Sequence, residues 1–204
     1  MSDPAYTVFI VDDDIDVLRA LERVLKAAGY GVRTYTSPVE FLAEHDAGIP
    51  GCAVLDVSMP GLDGLELQAA LATSFATRAV VFLTGAGDIP TSVRAMRAGA
   101  IDFLTKPASS SDLIAAIERA IARDADARRI SVEVAVIEAR LSKLTPRERE
   151  VLALVAAGRL NKQIAGELGT SEKTIKVHRG RVMEKMGVRT VADLVRLLHA
   201  VERP

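Results

Sequence analysis

Three apolar runs and one mixed run in this chain end in groups that can do chemistry. Val8-Phe9-Ile10-Val11 stops at three acids, Asp12-Asp13-Asp14. Ala53-Val54-Leu55 stops at Asp56, the run from Ala79 stops at Thr84-Gly85, and the run from Ile101 leads into Thr105-Lys106-Pro107. A buried strand that stops at a carboxylate cluster must hold that charge at its carboxyl end. Repulsion between such acids is relieved most readily by a bound cation, and a small, hard, all-oxygen site is what Mg²⁺ prefers. Acids, one hydroxyl and one amine converging at strand ends point to phosphoryl transfer to a carboxylate. In that chemistry Asp12 and Asp13 hold Mg²⁺, directly or through water, and a phosphoryl donor is aligned with Asp56 as nucleophile. Lys106 and Thr84 contact the phosphoryl oxygens. Asp14 and Asp16 read as acids at a helix N-terminus, serving its dipole. His45 and His199 lack metal-ligand partners at helical spacing and read as surface residues.

The elements that must position these groups alternate. Strands are expected at Tyr6–Val11, Val32–Tyr35, Cys52–Asp56, Ala79–Thr84 and Ile101–Leu104. Between them Ile15, Leu18, Leu21, Val24 and Leu25 recur at helical spacing, as do Leu65, Leu67 and Leu71, then Val93, Met96 and Arg97. Ser37-Pro38-Val39-Glu40 has the form of a helix start, with proline at the first helical position. Leu113, Ile114, Ile117 and Ile121 line the last helix of this series. Such β-α units give an α/β, doubly wound, five-stranded parallel sheet, with ligands beyond the strand carboxyl ends. The lone cysteine, Cys52, excludes an intrachain disulfide and reads as a buried core thiol.

Charge divides the 204 residues. Residues 1–142 carry 13 basic and 20 acidic side chains, and residues 143–204 carry 13 and 7, a balance of −7 against +6. An acidic front and a basic back suggest two tasks, the second with nucleic acid. No charged-then-apolar leader opens the chain, and no run approaches the roughly 20 apolar residues of a membrane span. A cytoplasmic protein is expected.

The expected division is 1–123, a helical linker at 124–142, and 143–204. In the linker Ile130, Val134, Ile137, Leu141 and Leu144 form a seam that fits a coiled coil or one amphipathic helix leaning on either domain. Thr145-Pro146-Arg147-Glu148 then starts the first of four helices, with a cap, proline at the first helical position and glutamate two residues later. The second and third of these carry a helix-turn-helix pattern, with Ala165 at the crossing, Gly169 in the turn and Ile175 facing inward. Such a turn presents its second helix to the DNA major groove. Its outward candidates are Lys173, Thr174, Lys176, Val177, Arg179 and Arg181. Cations suit phosphates; Lys176 can also reach guanine, and Val177 a thymine methyl.

Two resemblances sharpen this. Val11-Asp12-Asp13-Asp14, Leu55 through Gly64, Phe82-Leu83-Thr84-Gly85 and Asp102 through Pro107 resemble the receiver domain of two-component response regulators. The resemblance implies the flavodoxin-like 2-1-3-4-5 sheet and phosphorylation of Asp56 by a sensor histidine kinase. It also implies Mg²⁺ held by Asp13, Asp56 and the backbone carbonyl of Ser58, with Asp12 acting mainly through metal-bound water. Thr84 and Phe103 become a switch pair coupled to a dimerising face. Leu144 through Leu152, Asn161 through Ala165 and Thr174 through Arg179 resemble a LuxR-type, all-α, four-helix DNA-binding domain. Gly180 stands where that family often has a longer, DNA-facing residue. The whole chain thus resembles the FixJ/NarL group. That implies a homodimer when phosphorylated, promoter DNA as partner, RNA polymerase as a further candidate, and transcriptional activation as the commoner outcome. It implies no enzyme beyond slow self-catalysed phosphoryl transfer and dephosphorylation at Asp56. The rivals are an enzyme whose output is turnover at Asp56 and a DNA-binding dimer indifferent to phosphorylation.

Overall fold

The structure, a computed structural model, describes residues 5–73, 78–85 and 89–201, and every candidate site residue lies among them. The chain divides into two compact units, 1–128 and 129–204.

In the first unit β1 (Thr7–Val11), α1 (Ile15–Ala27), β2 (Gly31–Tyr35), α2 (Pro38–Glu44), β3 (Gly51–Leu55), α3 (Gly64–Thr73), β4 (Ala79–Thr84), α4 (Ile89–Arg97), β5 (Asp102–Thr105) and the start of α5 (Ser110–Leu141) alternate as the apolar pattern requires. The sheet order is β2-β1-β3-β4-β5, every pair parallel. β3 and β4 are buried along their whole length and β1 beyond its first residue, because helices cover both faces; the edge strands β2 and β5 are half-covered. Alternate side chains of one strand feed opposite cores. Val8, Ile10, Cys52, Val54 and Val81 pack with Leu18, Leu113 and Ile117 on one face. Phe9, Val11, Ala53, Leu55 and Phe82 pack with Phe41, Leu67 and Leu71 on the other. Cys52 is fully buried, and burial pushes its thiol up to about 12, so it is inert packing.

Gly64 starts α3 where the chain passes back against the end of β3. A Cβ there would stand 2.2 Å from the carbonyl oxygen of Asp56, so only glycine lets the turn close over the strand end.

His45 is not the surface residue expected. It is half-buried, its ring edge-on to Phe41, and its Nε2 accepts a hydrogen bond of 2.8 Å from Nε of Arg78. Burial, and then the Arg78 charge, holds its imidazole below the ordinary value. Arg78 is itself buried, with its guanidinium 4.2 Å from the centre of the Phe9 ring.

The second unit takes in the end of α5 with α6 (Pro146–Ala156), α7 (Asn161–Glu167), α8 (Glu172–Met186) and α9 (Val191–Val201). Thr145 and Glu148 close the expected capping box on α6. Ile164, Ile175, Val182, Met186 and Leu194 form the core with Val151, Leu152 and Val155. Of the linker seam, Ile137 and Leu144 are buried in this core and Leu141 packs against it, while Ile130 remains 46% exposed. The C-terminal part of the seam is therefore an amphipathic helix leaning on its own unit. These three side chains pack within the core of their own unit.

Candidate functional site

β1 and β3 are neighbours in register, Val11 opposite Leu55, so the residues that follow them emerge side by side. These are Asp12 and Asp56, 2% and 5% exposed. Lys106 enters from the loop after β5, its peptide N–H donating to the carbonyl of Thr84 at 2.7 Å and its bond to Pro107 cis. Its Nζ lies 2.5 Å from Oδ2 of Asp12 and 2.9 Å from Oδ1 of Asp56. The other carboxylate oxygens are held by backbone: Asp12 Oδ1 accepts from the Asp14 N–H at 3.0 Å, and Asp56 Oδ2 from the Ser58 N–H at 2.6 Å. Asp13 is exposed beside them, and so is Ser58. Asp14 caps α1, its Oδ1 accepting from the N–H groups of Asp16 and Val17, while Asp16 lies in the first turn of that helix.

Burial pushes the Asp12 carboxyl above its ordinary value, outweighing the hydrogen bond from Lys106. Burial alone would lower the Lys106 amine, but its hydrogen bonds to Asp12 and Asp56 outweigh that and hold it above its ordinary value. One ammonium between two buried carboxylates, with a third acid outside, leaves the pocket short of positive charge.

Among the described residues no group of three or more His, Cys, Asp or Glu side chains is arranged to hold a metal ion. That does not disqualify Mg²⁺, which is bound through one or two carboxylates, water and substrate phosphate rather than in an all-protein cage. The oxygen-only donors at Asp12, Asp13, Asp56 and Ser58 fit that habit.

Thr84 is fully buried at the carboxyl end of β4, between the strands that carry Asp56 and Lys106. Phe103 is half-buried on β5 opposite Phe82 on β4; the rings are 5.9 Å apart and inclined by 41°. The topology thus places Asp12, Asp56, Thr84 and Lys106 at one end of the sheet, with Phe103 next to them on the edge strand.

In the second unit the α8 candidates separate. Lys173, Lys176, Val177 and Arg181 are exposed, Val177 to 48%. Thr174 is half-buried, its hydroxyl 2.9 Å from that of Ser171, which caps α8. Arg179 is half-buried and donates to Oδ1 of Asn161 at 3.0 Å, so it is tied to the start of α7. Asn161 was not singled out from sequence; a partner 18 residues away on another helix leaves no periodic signal.

Comparison with known proteins accords with both halves. The family model for the response regulator receiver domain matches residues 8–118, and that for bacterial regulatory proteins of the luxR family matches residues 142–198. Nodulation protein W of Bradyrhizobium diazoefficiens is 43% identical over 190 residues, 93% of this chain and 84% of its own length. The tetrathionate response regulatory protein TtrR of Salmonella typhimurium is 42% identical over 200 residues, 97% of this chain and 94% of its own. Among solved structures, the response regulator StyR superposes with a TM-score of 0.82 at 45% identity, covering 95% of this chain and 98% of that one.

Proposed function

The chain belongs to the two-component response regulators that join a receiver domain to a LuxR-type DNA-binding domain, and on that premise we propose that Asp56 is its phosphoacceptor and that phosphorylation gates promoter binding. The observation that carries this is the position of Lys106, whose single ammonium group bridges the buried carboxylates of Asp12 and Asp56.

In the proposed reaction a carboxylate oxygen of Asp56 attacks the phosphorus of a phosphohistidine on a sensor kinase. A P–O bond forms, the P–N bond breaks, and the imidazole leaves with its electron pair. Asp12, Asp13, Asp56 and the Ser58 carbonyl would hold Mg²⁺, directly or through water, and the ion when bound would supply charge neutralisation for the phosphoryl oxygens. Lys106 adds a second positive charge on the same oxygens, and the Ser58 N–H steadies Asp56. Positioning and electrostatics suffice, because this chemistry asks for little covalent help.

The product carries about two negative charges where one stood. The Thr84 hydroxyl turns toward the new acceptors, and the Phe103 ring moves into the space it leaves. That couples Asp56 to the α4–β5–α5 face, where two receivers pair. Pairing brings two α8 helices onto two half-sites, with the exposed Lys173, Lys176, Val177 and Arg181 as the leading contacts and the half-buried Thr174 and Arg179 as further ones. Transcriptional activation, with RNA polymerase as a further partner, follows the commoner course for such proteins. Among the described residues no helix is long and apolar enough to cross a membrane; action in the cytoplasm belongs to the promoter-binding reading.

The test compares promoter-length DNA binding with and without a small phosphodonor and Mg²⁺, in this protein and in Asp56→Ala. Gating predicts tighter binding on phosphorylation, lost in the variant. Equal binding in every state favours a constitutive dimer, and donor hydrolysis without DNA binding favours an enzyme.

A further inference from the structure

We propose that Gly180 marks where duplex DNA comes closest to the backbone of α8, so that its missing side chain serves binding and not folding. The inference rests on the DNA-binding reading of α8.

Gly180 lies in the interior of a 15-residue helix, is exposed, and does not have a positive φ. A Cβ built on it would meet nothing within 4 Å. The fold therefore neither excludes a side chain there nor needs glycine's backbone freedom. Gly187, at the end of the same helix, is the contrast: its φ of 67° is a left-handed cap that favours glycine. Within a helix glycine is costly relative to alanine. A cost without an internal reason points to an external one.

The surroundings say what that is. Lys173, Lys176, Val177, Gly180 and Arg181 are exposed and recur at spacings of three and four, so they share one face of the helix. Gly180 is the bare spot in this stripe, with Lys176 one turn before it, Arg181 next to it and the exposed Glu184 one turn after it. Long basic side chains on either side can reach past the helix surface to phosphates, while the bare spot lets the duplex touch the main chain between them. Gly166 in α7 makes an internal control. It is also exposed, and its Cβ would also meet nothing within 4 Å. Lys162 precedes it by one turn and Glu167 follows it, so it lacks the second flanking cation that Gly180 has in Arg181.

The experiment uses the full chain, treated with a small phosphodonor and Mg²⁺, and a duplex selected by the wild-type protein from a random-sequence pool. Gly180→Ala should melt a few degrees higher than wild type, as better helix propensity requires, yet bind the duplex about tenfold more weakly. Gly180→Lys should bind more weakly still, although an added cation on an uncrowded DNA face tightens binding. Gly166→Ala should share the thermal gain and keep its affinity. The proposal is overturned if Gly180→Ala binds within about twofold of wild type, if Gly180→Lys binds more tightly, or if Gly166→Ala loses as much. If the wild-type protein selects no sequence and shows no salt-dependent duplex binding, the reading of α8 itself falls, and the proposal with it.

Discussion

Lys106 stands closer to Asp12 than to the proposed phosphoacceptor: its Nζ is 2.5 Å from Asp12, against 2.9 Å from Asp56. The amine therefore engages the Asp12 carboxylate that the proposed Mg²⁺ site also draws on, so the two cations would compete for it. Removing one unit charge at this range is worth a substantial fraction of the attraction between a carboxylate and a cation. Lys106→Ala should bind Mg²⁺ at least about threefold more tightly than wild type, by calorimetric titration. It should also lose phosphodonor-dependent DNA binding, because no ammonium remains to hold the phosphoryl oxygens. Weaker Mg²⁺ binding in the variant would mean that Lys106 organises the acids and does not compete for them.

The Phe82–Phe103 contact bears on the switch. In the proposed switch the half-buried Phe103 ring, 5.9 Å from that of Phe82, changes place when the buried Thr84 turns toward the phosphoryl group. Thr84→Ala should keep phosphorylation of Asp56, read as a phosphate-dependent mass increment, and lose the gain in DNA binding. Phe103→Ala should lose the gain too and cost about 2 kcal/mol of receiver stability, less than a fully buried phenylalanine. A Thr84→Ala protein that still gates normally would remove this pair from the account.

The acids and the sheet were legible for one reason: β1, β3 and β4 are continuous apolar runs, and a run that ends in charge marks its own carboxyl end. The convergence of Asp12 and Lys106, 94 residues apart, follows once the strand order is known. What stayed hidden is the polar scaffolding at the opposite end of the sheet. Arg78 donates to His45 and to the carbonyls of Asp46 and Ile49. None of these partners lies at helical or strand spacing from it. Periodicity records which face is apolar; it carries nothing about a buried cation whose partners come from another loop. The linker seam shows the same limit, since a stripe of Ile137, Leu141 and Leu144 announces a partner without saying which.

Asp124 belongs to that hidden scaffold. It is 3% exposed, and its Oδ2 accepts from the Gly51 N–H at 3.0 Å and from Nε of Arg128 at 2.6 Å. Arg128 in turn donates to the carbonyls of Ala47, Gly48 and Ile49. Asp124→Ala strands a buried N–H at the start of β3 and an arginine without its anion. It should cost roughly 3 kcal/mol in urea unfolding of the receiver. Arg128→Ala should cost a comparable amount, because the Gly51 contact survives but the buried Asp124 carboxylate loses the cation bonded to it.

Glu148 gives the second unit a dependence on acid. Its Oε2 accepts from Nζ of Lys185 at 2.6 Å and from the Thr145 N–H at 2.9 Å. The Lys185 ammonium, and then the Thr145 N–H, hold its carboxyl down to about 2 from an ordinary 4.5. A carboxyl depressed by folding stabilises the fold above its unfolded value and gives that up as pH falls toward its folded one. The contribution is therefore whole at neutral pH and lost between about pH 4.5 and 2. Glu148→Gln should lower the melting temperature of the DNA-binding unit at pH 7, and the gap to wild type should close across that acid window. Lys185→Met should reproduce the loss at neutral pH, because the remaining Thr145 contact holds the carboxyl down less strongly. A gap between wild type and Glu148→Gln that stays constant from pH 7 to 2 would show that the carboxylate charge contributes nothing, leaving only the hydrogen-bond geometry of the cap.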